Sequence, residues 1–186
     1  GIYRKASNGT GSEELLYRHA LGANIGLVDW SADGRFLSFV SGQVLYLLPL
    51  DGDREAVELV REEYDVAVGY FSADSRFLSY LSDESGRLEV YLRAFDPASG
   101  RFSPAGGKWK VSDQGARSVF WPPGGELYYI AADGGVMAVE VAVAPPSFRL
   151  GVPKALFAAP IWGGWTTTCS GIGGDLISSG IEGAWT

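Results

Sequence analysis

The sequence predicts an all-β fold, and three observations support this prediction. Segments rich in aromatic and branched apolar residues alternate with short turns, and the 186-residue chain contains 26 glycines that suit such turns. Hydrophobic residues make up 46% of the chain and charged residues 20%, a balance typical of an ordered globular domain. The sequence has no long run with the apolar periodicity of an amphipathic helix.

A strand–turn–strand unit occurs in four copies along the chain. The copies are WSADGRFLSFVS (30–41), FSADSRFLSYLS (71–82), WPPGGELYYIA (121–131) and the degraded CSGIGGDLISS (169–179). Asp-Gly, Asp-Ser or Gly-Gly between two apolar runs indicates a β-hairpin. The leucines after the turns recur about every 40 to 50 residues, which is the repeat length of a propeller blade.

Two further strands follow each of the first three hairpins. The third strands are VLYLLPL (44–50), LEVYLRAF (88–95) and VMAVEVAV (136–143). The shorter outer strands are AVELV (56–60), KWKVS (108–112) and KALFA (154–158). Turn-rich loops such as DPASGRFSPAGG and APPSFRLGVP separate them, because Pro and Gly interrupt strand pairing.

The N-terminus matches the second half of a repeat. IYRKA (2–6) is the third strand, NGTGS (8–12) the turn and EELLY (13–17) the fourth strand. We therefore predict a single domain over residues 1–186, a small β-propeller of four four-stranded blades with one blade shared between the two ends. The predicted pieces are the second half of the split blade (1–20), three whole blades (25–62, 66–113 and 117–158) and the first half of the split blade (165–186).

Two features of the ends bear on assembly. Because the chain begins with Gly1 rather than Met, we expect it to be processed or excised from a longer protein. Its last residues would continue into its first ones within one repeat, and three arrangements remain open: a closed ring with adjacent ends, exchange of half-blades between chains, or one unit of a tandem array. The last two would permit a head-to-tail oligomer or filament.

Aromatic residues near the split blade are candidates for ring closure. Tyr3, Trp162, Trp165 and Trp185 fall in or beside its two halves. The alternative is a sticky surface for another subunit or a sugar. Trp30 and Trp121 occupy equivalent positions in the repeat, so we expect both to pack between blades.

Charge and composition exclude several functional classes. The formal net charge is −7, which disfavours nucleic acid as a partner, and no apolar run is long enough to insert in a bilayer. One cysteine, Cys169, and one histidine, His19, exclude an internal disulfide and a Cys/His metal site. The chain also lacks a G-x-S-x-G elbow and an assignable nucleophile–base pair.

Carboxylates and one sequon have simple structural interpretations. We expect Asp33 and Asp74 to cap the backbone of their own hairpin turns. We predict no cofactor; the alternative is a weakly bound structural Ca²⁺ between the acidic loops, which lie at 51–55, 61–65 and 82–86. Asn8-Gly9-Thr10 is a formal N-glycosylation sequon, but the hairpin turn accounts for it, and the sequence leaves glycosylation open.

The repeats resemble a known bacterial family. WSADGRFLSFVS, DESGRLEVYLRAFD, GGKWKVSDQGARSVFW, GGELYYIAADGGVMAVEV and GVPKALF are similar to the TolB-like, WD40-like (PD40) propeller repeats, most of all those of propellers fused to bacterial serine/threonine kinases. The resemblance implies a propeller that binds partners, usually on the extracytoplasmic side, without chemistry or a cofactor of its own. The chain departs from it by lacking kinase motifs and by its degraded fourth hairpin, and family propellers usually have more than four blades.

These observations together favour a binding protein over an enzyme. We expect a non-enzymatic interaction or scaffold module outside the cytoplasm, with a protein, a glycan or copies of itself as partners. The alternative is an accessory sensor or gating propeller of a larger enzyme, such as a kinase or a peptidase. An independent hydrolase or lyase is disfavoured because the nucleophile–base pair is missing.

Overall fold

The computed structural model describes residues 1–18, 24–61, 66–122, 126–144, 147–158, 170–172 and 175–179. These residues form strands and turns without a helix, which confirms the all-β prediction, and none of them belongs to a helix able to cross a membrane. In chain order the strands are β1 (Ile2–Ala6), β2 (Glu14–Tyr17), β3 (Ile25–Trp30), β4 (Phe36–Ser41), β5 (Val44–Pro49), β6 (Val57–Arg61), β7 (Val66–Phe71), β8 (Phe77–Ser82), β9 (Glu89–Asp96), β10 (Arg101–Phe102), β11 (Lys108–Lys110), β12 (Ala116–Phe120), β13 (Leu127–Ala131), β14 (Gly135–Val139), β15 (Val141–Ala144), β16 (Ser147–Leu150), β17 (Lys154–Ala158), β18 (Ser170–Ile172) and β19 (Asp175–Ser179).

Four antiparallel sheets contain most of these strands. Sheet I has the order β3-β4-β5-β6, and sheet III has the order β12-β13-β14-β17. Sheet II contains β7, β8 and β9, with the short strands β10 and β11 both paired to the outer side of β9. β10 was not predicted, and it lies in the segment DPASGRFSPAGG that was predicted as loop.

The fourth sheet joins strands from both ends of the chain. Its order is β18-β19-β1-β2, and we call it the shared sheet. Ile2 lies opposite Ser179 and Ala6 opposite Asp175. This pairing confirms the predicted sharing of one sheet between N- and C-terminal strands. The blade count of a complete ring and the domain boundaries stay predictions.

Three hydrophobic cores hold consecutive sheets face to face. The core between the shared sheet and sheet I contains Ile2, Leu16, Trp30, Leu37, Phe39, Leu48 and Leu50. The core between sheets I and II contains Phe36, Leu45, Leu47, Val60, Val66, Phe71, Leu78, Tyr80, Tyr91 and Phe95. The core between sheets II and III contains Phe77, Leu81, Val90, Leu92, Val111, Ala116, Val119, Leu127, Tyr129 and Val139, with Trp121 packed against it. Trp30 and Trp121 therefore both pack between sheets, as predicted.

A small two-stranded ribbon after β14, separate from sheet III, differs from the prediction. Residues 136–143 were expected to form one strand, but β14 ends at Val139, and β15 pairs with β16 in a separate hairpin. The segment 144–153, expected to be loop, thus contains a strand. The ring of Phe148 in β16 stacks on Trp109 of sheet II, with centroids 4.0 Å apart. Burial of this aromatic surface explains why the chain leaves the sheet here.

The first hairpin turn is formed as predicted, by a slightly different mechanism. Gly9 has a φ of 76°, and its N–H donates to the Ala6 carbonyl over 3.0 Å. Asn8 does not have the positive φ that is common to both residues of an Asn-Gly hairpin turn. Its carboxamide acts instead, because Oδ1 of Asn8 accepts a hydrogen bond of 3.0 Å from the Thr10 N–H.

The equivalent turns of sheets I and II differ at one strained position. Sheet I has Gly34 with a φ of 74°, whereas sheet II has Ser75 with a φ of 54°. L-residues avoid this left-handed region, at a cost of about 1 to 2 kcal/mol. The Ser75 side chain is also buried, and its hydroxyl has no hydrogen-bond partner in the described part of the chain.

Replacing Ser75 with glycine is expected to raise the free energy of unfolding by about 1 kcal/mol, because it removes both the backbone strain and the unpaired hydroxyl. The greater flexibility of glycine in the unfolded chain offsets part of the gain. Urea unfolding of the purified chain measures the change. Ser75→Ala is the matched control, since it removes the hydroxyl but keeps the Cβ. Equal stability of the two variants would show that the backbone is not strained.

Candidate interaction surface

The aspartates of the two repeated turns have structural roles. Oδ1 of Asp33 accepts hydrogen bonds from Ser31 Oγ (2.6 Å) and from the Arg35 N–H (3.1 Å). In sheet II, Asp74 repeats this arrangement with Ser72 Oγ at 2.6 Å. Both carboxylates therefore stabilise their own turns, which confirms the structural interpretation of Asp33 and Asp74.

A partly buried carboxylate joins the first strands of sheets I and II, β3 and β7. The register of β3 shifts at a bulge between Leu27 and Asp29. Beyond it, Oδ2 of Asp29 accepts a hydrogen bond of 2.9 Å from the Phe71 N–H of sheet II. Burial raises the pKa of Asp29 from 3.8 to about 6, although the N–H groups of Phe71 and Trp30 favour the charged form. Asp29 thus links two sheets and changes its charge near pH 6.

A fully buried carboxylate, Glu89 at the start of β9, contacts the segment that leads from sheet II to sheet III. Its Oε2 accepts hydrogen bonds from Ser112 Oγ (2.5 Å) and the Gly115 N–H (3.0 Å), and its Oε1 accepts one from Arg87 Nε (2.9 Å). Nζ of Lys110 lies 3.6 Å from Oε1. Burial alone raises the pKa of Glu89, but these donors and charges outweigh it and hold the pKa below 4.5. Glu89 is therefore ionised at neutral pH.

Metal and catalytic candidates remain dispersed in the described part of the chain. No group of three or more His, Cys, Asp or Glu side chains there is arranged to hold a metal ion. His19 and Cys169 lie outside the described residues, as does most of the acidic segment 61–65. The predictions of no cofactor and no enzymatic activity stay predictions.

Of the predicted ring-closure residues, the structure places Tyr3. Its side chain is 8% exposed, and it lies in β1 between Ser178 on one side and Leu15 on the other. Trp162, Trp165 and Trp185 lie outside the described residues. Ring closure by these aromatics stays a prediction.

The outer strands of three sheets carry ion-paired charges. In β6 of sheet I, Arg61 pairs with Glu58. In β2 of the shared sheet, Glu14 accepts hydrogen bonds from Arg54 (2.7 Å) and Arg4 (2.6 Å), and these two bonds lower the pKa of Glu14.

The outer strand of sheet II is also charged. Lys108 of β11 pairs with Glu84, and Lys110 of the same strand lies near Glu89. Charged side chains on edge strands discourage pairing with other chains, so β2, β6 and β11 are protected edges.

The outer strand of sheet III is different. All five residues of β17, Lys-Ala-Leu-Phe-Ala, are exposed. Leu156 is 50% exposed and Phe157 64%, and Val152 just before the strand is 81% exposed. Lys154 is the single charged residue of the strand. We call Val152 and β17 together the apolar edge; clustered apolar exposure of this kind marks binding surfaces.

The architecture matches solved structures. A protein assigned as TolB from Agrobacterium tumefaciens superimposes with a TM-score of 0.52 at 18% sequence identity, over 83% of this chain and 52% of that one. The fold is a β-propeller. TolB from Acinetobacter baumannii matches the propeller with a TM-score of 0.45 at 12% identity, over 86% of this chain and 53% of that one. The periplasmic gluconolactonase PpgL from Pseudomonas aeruginosa matches with a TM-score of 0.46 at 23% identity, over 72% of this chain and 38% of that one.

The match to these proteins has clear limits in extent and specificity. The propeller spans about half the length of the two TolB chains, 52% and 53%. It matches no protein-family model and no curated protein. The likeness therefore identifies the fold, and kinship with kinase-fused propellers stays a prediction.

Asp29, Glu89 and the apolar edge were not predicted as notable sites. A signal existed for each. Asp29 stands between Val28 and Trp30 in an otherwise apolar strand, and Glu89 interrupts the apolar run LEVYL. The segment KALFA carries one charged residue, Lys154, whereas EELLY and KWKVS carry two each. Each signal becomes interpretable only when the burial of the residue is known.

Proposed function

We propose that the chain is a non-enzymatic propeller module that binds a protein partner through its apolar edge, outside the cytoplasm. The single observation that carries this proposal is the exposure of Leu156 and Phe157 on one outer strand and of Val152 just before it. Monomeric soluble proteins bury or scatter such side chains, so a cluster of them favours a docking surface. The extracytoplasmic location is supported by the resemblance of the repeats to the TolB-like family.

The contrast between outer strands supports this choice of surface. The protected edges β2, β6 and β11 carry charges paired within their own sheets, whereas β17 carries only Lys154. A partner that covers β17 would gain apolar contact without separating an ion pair. Removing the apolar surface of these side chains from water would contribute about 25 cal/mol of favourable free energy for each Å² buried.

The roles of the buried carboxylates support binding rather than catalysis. Asp29 and Glu89 each accept hydrogen bonds from backbone groups of a neighbouring segment, so their oxygens already serve the fold. A catalytic carboxylate needs to reach a substrate, whereas these oxygens are hydrogen-bonded within the fold.

Photocrosslinking tests the proposed surface. The natural full-length protein is expressed in its own host with benzoylphenylalanine at position 157, and the cells are irradiated. The matched control carries the same label at position 120. Phe120 is also an exposed phenylalanine, at 38%, but it lies on β12, at the opposite edge of sheet III from β17. We expect a discrete covalent adduct from position 157 only, identified by mass spectrometry. Equal labelling from both positions would overturn the proposal.

A second proposal is an accessory propeller of a larger enzyme, such as a kinase sensor or a peptidase gate. The similarity of the repeats to kinase-fused propellers supports it. The coding sequence on either side of these 186 residues distinguishes the two. A kinase or hydrolase domain in the same reading frame favours the accessory role, and an adduct between position 157 and that domain would identify its docking surface.

A further inference from the structure

The apolar edge has an unpaired backbone as well as exposed side chains. β17 is the last strand of sheet III, and it pairs with β14 on one side. Among the described strands, none pairs with its other side. That side presents the N–H and C=O groups of alternate residues within Lys154–Ala158. A free edge of this kind is a template for one more antiparallel strand.

The side chains of the edge limit which strand fits. Leu156, at the centre of β17, and Phe157 are at least half exposed. The register against β14 shifts between Val136 and Met137, so β17 has a bulge at Leu156. A bulge increases the local twist and shortens the run of regular hydrogen bonds. The partner strand is therefore short and apolar, and its attachment is weak.

We infer that the partner strand is β17 of a second copy of this chain, paired antiparallel about a two-fold axis at Leu156. This inference deepens the proposed function and rests on it, because it names the partner of the same surface. In this register, Lys154 faces Ala158 of the copy and Ala155 faces Phe157. Each lysine thus meets a small neutral residue, and each large ring meets a small one.

The charge pattern of β17 permits antiparallel self-pairing, whereas that of β11 in sheet II opposes it. Antiparallel self-pairing of β11 would place Lys108 directly opposite Lys110 of the copy. Like charges in opposite positions destabilise a strand pair. In β17 the two lysines lie at opposite ends of the pair. Two copies that each carry a net charge of −7 already repel one another over the rest of their surface. Keeping the two lysines apart avoids a further repulsion within the strand pair.

The symmetry of this contact fixes the size of the assembly. A surface that pairs with its own copy is isologous, so the association closes at two chains. The head-to-tail filament considered from the sequence needs two different faces and would continue to grow. A five-residue strand pair also buries less than the roughly 1,600 Å² of a standard interface, so the dimer dissociates readily on dilution.

Sedimentation of the purified chain tests the inference. We expect a reversible monomer–dimer equilibrium, with twice the 19.9 kDa chain mass as the limit at high concentration. Leu156→Lys places two lysines opposite each other at the two-fold axis, and we expect it to weaken dimerisation at least about tenfold. Leu15→Lys is the matched control, because Leu15 is an exposed leucine, at 39%, on the outer strand of another sheet. It should dimerise like the parent chain.

Three outcomes would overturn the inference: a monomer at every concentration up to about 1 mM, growth beyond two chains, or equal effects of the two lysine variants. A cysteine pair gives independent support. In a Cys169→Ser background, Leu156→Cys is expected to form an intermolecular disulfide on mild oxidation, whereas Leu15→Cys is not. If the chain stays monomeric while position 157 crosslinks a different protein, self-pairing fails and the proposed function survives. If position 157 gives no adduct, the proposed function fails as well.

Discussion

Replacing Glu89 with glutamine is expected to lower the free energy of unfolding by about 3 kcal/mol at neutral pH. The Glu89 carboxylate accepts hydrogen bonds from Ser112 Oγ and the Gly115 N–H, both in the segment that leads to sheet III. Glutamine offers one acceptor oxygen instead of two, and its amide group faces other donors. Buried donors therefore lose their partner. Urea unfolding followed by tryptophan fluorescence measures the change.

The pH dependence of the unfolding free energy distinguishes the contribution of the Glu89 charge from that of the shape of its side chain. Because the pKa of Glu89 is lowered below 4.5 in the folded chain, its contribution is fully present above about pH 4.5 and is lost as the pH falls through the folded pKa. The difference between the parent chain and Glu89→Gln should thus shrink in acid.

Glu58→Gln is the matched control for Glu89→Gln. Glu58 is exposed and pairs with Arg61 on β6, so we expect no measurable change in the unfolding free energy. A loss as large as that of Glu89→Gln, or a Glu89→Gln effect that persists unchanged in acid, would contradict the role of the buried carboxylate.

Replacing Asp29 with asparagine is expected to raise the free energy of unfolding above neutral pH, which is the opposite of the effect expected for Glu89→Gln. Burial raises the pKa of Asp29 from 3.8 to about 6, so the folded chain binds a proton more tightly than the unfolded one between these values. Stability from this residue therefore falls as the pH rises from about 4 to about 6, by up to about 3 kcal/mol at roughly 1.4 kcal/mol per unit of pKa. Asparagine removes this loss and keeps an oxygen for the Phe71 N–H.

The measurement is the difference in unfolding free energy between Asp29→Asn and the parent chain across this pH range. The other carboxylates titrate alike in both proteins, so their contributions cancel in the difference. We expect Asp29→Asn to become relatively more stable as the pH rises through 6. The new amide donors cost about 1 kcal/mol, which leaves a net gain above neutral pH. A difference that stays constant from acid to neutral pH would contradict the assignment.

Local sequence chemistry was sufficient to predict much of the fold. Asp33 and Asp74 indicate tight turns because an aspartate oxygen caps the backbone of its own turn, and the structure contains those bonds. The strands IYRKA and KALFA have the predicted bounds. The shared sheet followed from counting strands, because two strands at each end complete one repeat, and β1 does pair with β19.

The ribbon β15–β16 could not be predicted in this way. Its apolar residues continue the pattern of β14, so periodicity extends the strand to Val143. The chain turns away after Val139 because Phe148 stacks on Trp109 of another sheet. That contact joins residues far apart in the sequence, and no local pattern reports it.

The sequence by itself determined the all-β class, the repeated hairpins and the shared sheet, because turn chemistry and strand periodicity are local properties of the chain. Tertiary structure alone decided that Asp29 and Glu89 titrate in opposite directions and that β17 is left exposed. The bonded partners of the two carboxylates lie 42 and 26 residues away, at Phe71 and Gly115. Burial and hydrogen bonding set a pKa or an exposed edge, and both depend on which distant segments the fold brings together.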